Sequence, residues 1–70
     1  MSTSKILVEA EGPVTTIIIN RPQAKNALDN EAAHGLADAL RAFEADAGAR
    51  VVVLTGAGRA FCAGADLKEL

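Results

Sequence analysis

The sequence has few of the bulky residues from which a large hydrophobic core is built. Among its 70 residues there are two Phe, no Trp and no Tyr, and 15 of the hydrophobic residues, which make up half of the chain, are alanine. Alanine buries little apolar surface, and a chain this short buries only about 60% of the surface that its unfolded form exposes. We therefore expect little stability from the chain alone and interpret it as part of a larger domain.

Further shortages exclude whole classes of protein. Cys62 is the only cysteine, which excludes an internal disulfide and fits a reducing compartment. No apolar run approaches the roughly 20 residues of a membrane helix, and the first residues lack the pattern of a secretory or transit peptide. Seven basic against nine acidic residues provide no basic surface for nucleic acid or anionic lipid. We expect a cytoplasmic protein that binds neither nucleic acid nor a membrane.

The strand patterns predict a hairpin followed by a separate, third strand. A short β-prone run predicts a strand at residues 6–10, and a run dense in β-branched residues predicts a second at residues 14–20, with a Gly-Pro turn at residues 11–13 between them. Residues 51–54 form a continuous apolar run, which is typical of a strand covered on both faces.

A helix is predicted between the second and third strands. Asp29 is its predicted N-cap, it runs to about residue 46, and Gly48 is its predicted stop. The expected apolar face is made of Ala33, Leu36, Ala37, Leu40 and Phe43.

The last residues predict the start of another helix. Asp66 and Glu69 have the spacing of a capping box, yet only about one turn follows, and one turn is not stable alone. The order β-β-α-β with a nascent helix predicts the α/β class, and the single turn favours a truncated domain.

The glycine-rich stretch at residues 56–58 does not fit a dinucleotide-binding motif. That motif needs a third glycine where Phe61 stands, and a helix that opens directly on the glycines. A free-standing nucleotide-binding module is therefore disfavoured.

Two other stretches each leave two interpretations open. Residues 21–28 are either a solvated loop with two cations or an anion site in which Arg21 or Lys25 meets phosphate. Residues 60–67, with small side chains around a central glycine, are either a tight connection or a loop whose backbone N–H groups stabilise negative charge on a ligand.

Taken together, these stretches resemble the enoyl-CoA hydratase/isomerase (crotonase) family. The string INRPQAKNAL at residues 19–28 is similar to the family segment N-R-P-x-x-x-N-A-L. The string VVVLTGAGRAFCAGADL at residues 51–67 is similar to V-V-L-x-G-x-G-x-x-F-x-A-G-x-D-L, in the right order and with a helix between the two. The resemblance implies that residues 1–70 are the first portion of a single domain with a spiral of β-β-α units, here β-β-α-β and the start of the next helix.

The resemblance also implies a site. The backbone N–H of Ala65 would be one of two oxyanion-hole donors for the carbonyl of an acyl-CoA thioester. The residues expected to line the bound acyl-CoA are Lys25, Ala27, Ala63, Gly64 and Asp66. Lys25 is the candidate contact for a phosphate. No separate cofactor or metal is implied, and the full-length protein would be a homotrimer or homohexamer.

In the family, the second donor and the two glutamates that act as acid and base come from later segments. The 70-residue chain alone is therefore expected to be inactive. A second interpretation, from a different class, is a non-catalytic remnant that binds acyl-CoA or a partner subunit.

Overall fold

The computed structural model describes residues 4–65, which contain three strands, one α-helix and one short 3-10 helix. In chain order these are β1 (Ile6–Glu11), β2 (Val14–Ile19), the 3-10 helix (Pro22–Ala24), α1 (Asn30–Ala45) and β3 (Val51–Gly56). The predicted β-β-α-β order is confirmed. The predicted next helix, from Asp66 onward, lies outside the described residues.

The three strands form one sheet in the order β1-β2-β3. β1 and β2 are antiparallel and make the predicted hairpin, with Gly12 in the turn at a φ of 58°. β2 and β3 are parallel, with Ile19 opposite Gly56 at their carboxyl ends. Parallel strands end at the same edge of a sheet, so the loops that follow β2 and β3 lie side by side.

The core lies between β2 and α1. Burial along β2 alternates, with Thr15, Ile17 and Ile19 at 8%, 0% and 1% exposure. This period of two is expected for a strand that turns one set of side chains toward a packed helix. On α1, Ala32 is fully buried, and Gly35 lies so close to β1 that an added Cβ would be 3.0 Å from Cγ1 of Ile6.

The prediction for α1 was right in its extent and partly wrong in its face. Asp29 is the N-cap as predicted, but Ala32 is buried and the predicted Ala33 is exposed. Leu40 also stays 40% exposed. The close approach to β1 fixes which stripe of the helix faces the sheet, and hydrophobic spacing alone does not contain that information.

The helix ends close to the predicted residue 46, but Gly48 is not the residue that caps it. The helix stops at Ala45, and its C-cap, Asp46, is extended rather than left-handed. Gly48, the predicted stop, comes two residues after the C-cap and does not have the positive φ of a left-handed glycine cap.

The expectation of a third strand covered on both faces is not met within residues 4–65. Val51, Val53 and Leu54 are 51%, 44% and 40% exposed. The reason is geometric, because α1 packs mainly on β1 and β2 and leaves these side chains of β3 exposed. Among the described residues, no helix has the length and apolar character needed to span a membrane.

Candidate functional site

Two loops meet at the carboxyl ends of β2 and β3. We call residues 20–28 the first loop and residues 57–65 the glycine loop. The glycine loop begins with a hydrogen bond from the Ala57 N–H to the carbonyl of Ile19, at 2.9 Å, which extends the pairing of the two strands. Both loops carry residues that the sequence predicts to bind acyl-CoA.

The first loop is shaped by an unusual pair of backbone conformations. After the 3-10 helix, Lys25 and Asn26 both have a positive φ, 52° and 60°. Asparagine tolerates this left-handed region better than most residues, whereas lysine adopts it at some cost. The loop is closed by the Asn26 N–H, which donates to the carbonyl of Arg21 at 2.8 Å.

The side chain of Asn26 connects the two loops. Its Oδ1 accepts from the N–H of Arg21 at 2.8 Å, and its Nδ2 donates to the carbonyls of Ala57 at 2.9 Å and Ala60 at 2.6 Å. Asn26 is fully buried, at 0% exposure. We call this set of bonds the Asn26 network. A buried amide is stable only when its polar atoms are paired, and here these three bonds satisfy that need.

Gly56 permits the close approach on which this network depends. A Cβ at this position would lie 2.2 Å from the carbonyl oxygen of Phe61 and 2.5 Å from that of Ala60. It would also lie 2.6 Å from Nδ2 of Asn26. The absence of a side chain at Gly56 is therefore a packing requirement, which explains its presence without any nucleotide phosphate.

Backbone pairing continues from the Asn26 network to the end of the glycine loop. The Ala63 N–H donates to the carbonyl of Lys25 at 3.1 Å, and the Leu28 N–H donates to the carbonyl of Gly64 at 2.8 Å. Leu28 and Ala65 form a parallel bridge. The two loops thus make a short additional ladder.

This ladder fixes the direction of the peptide between Gly64 and Ala65. In a planar trans peptide the C=O and the following N–H point in opposite directions. Because the Gly64 carbonyl points toward Leu28, the Ala65 N–H points away from the first loop. Gly64 has a φ of 99°, a conformation that other residues rarely adopt.

The two cations of the first loop have different surroundings. The Arg21 guanidinium donates through one amino group to the carbonyl of Ala27, and its other amino group lies 3.6 Å from Asp29. Only 13% of its side chain is exposed. Lys25, in contrast, is exposed. Of the two candidates for a phosphate contact, Arg21 is engaged in the fold and Lys25 is the accessible one.

A small charge cluster supports the entry to α1. Lys5 Nζ lies 2.6 Å from Asp29 and 2.7 Å from Glu31, and Asp29 accepts from the Ala32 N–H at 2.8 Å. The Lys5 ammonium and then the Ala32 N–H lower the pKa of Asp29 below its usual value of 3.8. The same bonds, first to Asp29 and then to Glu31, raise the pKa of Lys5 above 10.5.

Within residues 4–65 no group of three or more His, Cys, Asp or Glu side chains is arranged to hold a metal ion. Cys62 has a local role, since its Sγ accepts from the Gly64 N–H at 3.4 Å. The site that the two loops form is thus built mainly from backbone groups.

A sequence model of the family described as enoyl-CoA hydratase/isomerase matches residues 9–70 of the chain. The chain belongs to the enoyl-CoA hydratase/isomerase family. The predicted family membership and the crotonase-like fold are confirmed.

Individual relatives agree with this membership. A probable enoyl-CoA hydratase of Rhizobium meliloti is 49% identical over 70 residues, which are 100% of this chain and 27% of that protein. A probable 3-hydroxyisobutyryl-CoA hydrolase of Arabidopsis thaliana is 42% identical over 66 residues, 94% of this chain and 18% of that protein. The crystal structure of an enoyl-CoA hydratase from Mycobacterium tuberculosis superimposes with a TM-score of 0.93 at 48% identity, over 96% of this chain and 27% of that one. The chain thus spans about a quarter of the length of the hydratases that it matches.

In this member of the family, most of the residues predicted to bind acyl-CoA lie together. Lys25 and Ala63 are joined by a backbone hydrogen bond, and Gly64 is joined to the first loop through Leu28. Ala27 is half-buried, and its carbonyl accepts from Arg21. These contacts bring the predicted residues of both loops together. Asp66 lies outside the described residues.

The sequence analysis missed two residues that hold these loops together, Asn26 and Gly56. Both stand inside the family segments, but their roles depend on partners at least four residues away, and for Asn26 on carbonyls more than 30 residues away. The signal for Asn26 was the residue type, since asparagine favours left-handed turns. No local pattern indicates that its amide is buried.

Proposed function

We propose that this chain supplies one donor of an oxyanion hole and part of the acyl-CoA binding surface of an enoyl-CoA hydratase/isomerase-type enzyme. The donor is the backbone N–H of Ala65, and the acceptor is the carbonyl oxygen of an acyl-CoA thioester. The observation that carries the proposal is the 2.8 Å hydrogen bond from Leu28 to the Gly64 carbonyl, which turns the Ala65 N–H away from the first loop.

The chemistry of acyl-CoA thioesters explains why such a donor is useful. Hydration, isomerisation or hydrolysis develops negative charge on the thioester oxygen, in an enolate-like or tetrahedral state. A fixed N–H at that oxygen stabilises the charged state more than the neutral substrate, and removal of one such donor typically costs about 10²–10³ in rate. The second donor and the acid–base pair belong, by family resemblance, to later segments.

The bond from Leu28 also strengthens the donor. When a peptide C=O accepts a hydrogen bond, the peptide is polarised and its N–H becomes a better donor. The Gly64–Ala65 peptide is in this position, with its carbonyl bonded to Leu28. The first loop therefore both orients the Ala65 N–H and increases its positive partial charge.

The coenzyme A part of the substrate lies along both loops in this proposal. Lys25 is exposed and provides a cation for a phosphate, while its own carbonyl is held by Ala63. Ala27, Gly64 and Asp66 complete the binding surface, largely through backbone atoms. Coenzyme A is part of the substrate, and no separate cofactor is proposed.

The test is a pair of variants at Ala65 in the full-length enzyme that carries this chain. Ala65→Gly keeps the N–H and should retain substantial activity. Ala65→Pro removes the N–H and should lower kcat by about 10² or more. Because the nucleotide is bound elsewhere, affinity for CoA should change less. Hydration of crotonyl-CoA, followed by loss of enoyl-thioester absorbance, gives the rates.

Proline can also distort the loop, so the melting temperature and a crystal structure of Ala65→Pro accompany the kinetics. A correctly folded Ala65→Pro enzyme with normal turnover would contradict the proposed oxyanion role. Loss of activity in Ala65→Gly as severe as in Ala65→Pro would also contradict it, because the glycine variant keeps the donor.

A further inference from the structure

We propose that Asn26 is a positioning residue that sets the orientation of the Ala65 N–H donor. The inference rests on the proposed function, because it assigns a further residue to the same site. Asn26 is completely buried and its side chain is bonded to the backbone of both loops, so it acts on the reaction through the loops and not by contact with substrate.

The bonds of the Asn26 network reach the glycine loop at two points. Both Nδ2 hydrogens are used, one on the carbonyl of Ala57 at 2.9 Å and one on that of Ala60 at 2.6 Å. The Oδ1 accepts from Arg21, at the opposite end of the first loop. One side chain thereby fixes the start of the glycine loop against the first loop.

The residues on either side of Asn26 connect its backbone to the part of the glycine loop that carries the Ala65 N–H. Lys25 accepts from the Ala63 N–H, and Leu28 donates to the Gly64 carbonyl. Asn26 stands between these two contacts, so a shift of its backbone moves both of them. The direction of the following Ala65 N–H depends on the second contact, because the peptide is planar.

Few other side chains can replace Asn26 at this position. Its φ of 60° disfavours most residues other than glycine, asparagine and aspartate. Among these three, only asparagine offers two donors and an acceptor on one short side chain. Aspartate has a very similar shape and keeps the acceptor for Arg21, but it presents an oxygen to the carbonyls of Ala57 and Ala60.

Asn26→Asp in the full-length enzyme therefore tests the inference with a minimal change in shape. Two oxygens that face each other repel, so the glycine loop should move away. We expect kcat to fall by about 10²-fold, the effect typical of a misplacement of about 1 Å at a reaction site. KM should rise by a smaller factor than kcat falls, because Lys25, the proposed phosphate contact, lies on the first loop and not on the glycine loop that moves.

A spectroscopic measurement separates positioning from a general loss of stability. The probe is butyryl-CoA with ¹³C at the thioester carbonyl, which has no double bond to hydrate. Bound to the unchanged enzyme, its carbonyl stretch should move to lower frequency, because an oxyanion hole polarises the C=O bond. In Asn26→Asp most of this shift should be lost while the probe still binds.

Asn20→Asp is the matched control, since it makes the same chemical change in the same loop. The Nδ2 of Asn20 donates to the Ser4 carbonyl at 3.1 Å, away from the glycine loop. This variant should keep both the frequency shift and kcat. If Asn20→Asp lost them to the same degree as Asn26→Asp, the special role of Asn26 would be contradicted.

The two proposals fail in distinguishable ways. A normal kcat and a full frequency shift in folded Asn26→Asp would overturn the positioning role and leave the oxyanion hole in place. No frequency shift in the unchanged enzyme would overturn the proposed function itself. If Asn26→Asp does not fold, Asn26→Gly permits the same φ without the amide, and a folded glycine variant with normal kcat would equally overturn the inference.

Discussion

Single residues at the site act mainly through shape and backbone geometry. Gly56 leaves room for two carbonyls and the Asn26 amide, and Gly64 adopts a φ of 99° just before the proposed donor. The space around them differs, because an added Cβ at Gly64 meets nothing within 4 Å. One glycine is therefore required by packing, and the other by conformation.

Gly56→Ala should destabilise the protein and disturb the site. The new Cβ would come within 2.2–2.6 Å of two carbonyl oxygens and the Asn26 amide, distances at which the backbone must move. Overpacking of this kind typically costs about 1–3 kcal/mol in unfolding free energy. Chemical denaturation of the full-length protein measures the loss of unfolding free energy. The kcat for hydration of crotonyl-CoA should also fall.

Gly48→Ala is the control for that prediction. Its Cβ would meet only Asp46 Oδ1, at 3.4 Å, and its φ is not positive, so stability should be unchanged or slightly higher. Equal stability of Gly56→Ala and Gly48→Ala would show that the glycine loop can relax around a side chain at position 56.

At the scale of elements, the start of α1 is connected to both the hairpin and the first loop. Asp29 caps the helix and bonds to Lys5, which lies just before β1, and Arg21 of the first loop lies 3.6 Å from the same carboxylate. This carboxylate therefore joins three elements. Its charge contributes both a helix cap and a favourable interaction with the helix dipole.

The stability that Asp29 provides should depend on pH. Its pKa in the folded protein is below 3.8, so the ionised carboxylate stabilises the fold at pH values above 3.8. This contribution is lost as the pH falls through the lowered pKa, because the protonated group keeps neither the Lys5 interaction nor its full strength as a cap. Urea denaturation of the protein at pH values between 2 and 7, in roughly unit steps, should show this loss of stability.

Asp29→Asn and Asp29→Ala separate the charge from the cap. Asparagine is also a good N-cap, so Asp29→Asn should lose only the part of the stability that depends on charge. The difference in unfolding free energy between Asp29→Asn and the unchanged protein should therefore become smaller at acid pH. Asp29→Ala should be less stable than Asp29→Asn at every pH. If the difference in unfolding free energy between Asp29→Asn and the unchanged protein stayed constant down to pH 2, the lowered pKa of Asp29 would be contradicted.

At the scale of the whole molecule, α1 covers one face of β1 and β2, whereas β3 is largely exposed. The buried hydrophobic residues lie on β2 and α1, while Val51, Val53 and Leu54 of β3 and also Phe61 are at least 40% exposed. Within residues 4–65 no element covers this surface. An exposed apolar strand next to a buried one favours association with other chains.

The isolated 70-residue chain should accordingly self-associate. Replacement of Val51 and Val53 by threonine keeps the β-branched shape and removes a methyl group from each exposed position. At about 0.8 kcal/mol per buried group, the double variant should raise the dissociation constant of self-association by about tenfold. Sedimentation velocity over a concentration series measures the change.

The control is Ile17→Thr, at a position that is fully buried in β2. This change should unfold the chain instead of weakening its association, because it places a hydroxyl in the core. A monodisperse monomer with a sharp cooperative melt, already in the unchanged chain, would contradict the prediction of self-association.

Local signals in the sequence were enough for the elements and the family. Two β-prone runs predicted β1 and β2, Asp29 marked the start of α1, and two motifs with a helix between them identified the family. The strand and helix signals depend on neighbouring residues along the chain, where steric preference and capping act, whereas the family signal depends on two motifs in the right order. The site residues in the two loops were predicted only through the resemblance, and their roles as ligands remain predictions.

The buried face of α1 and the role of Asn26 depend on the tertiary structure and have no local signal in the sequence. The tertiary structure selected Ala32 over Ala33 as the buried position of α1, because β1 approaches the helix closely at Gly35. It also gave Asn26 its role, since the amide finds its partners more than 30 residues away, across the parallel pairing of β2 and β3. Contacts between distant segments depend on how sheet and helix pack, and no stretch of the sequence encodes them by itself.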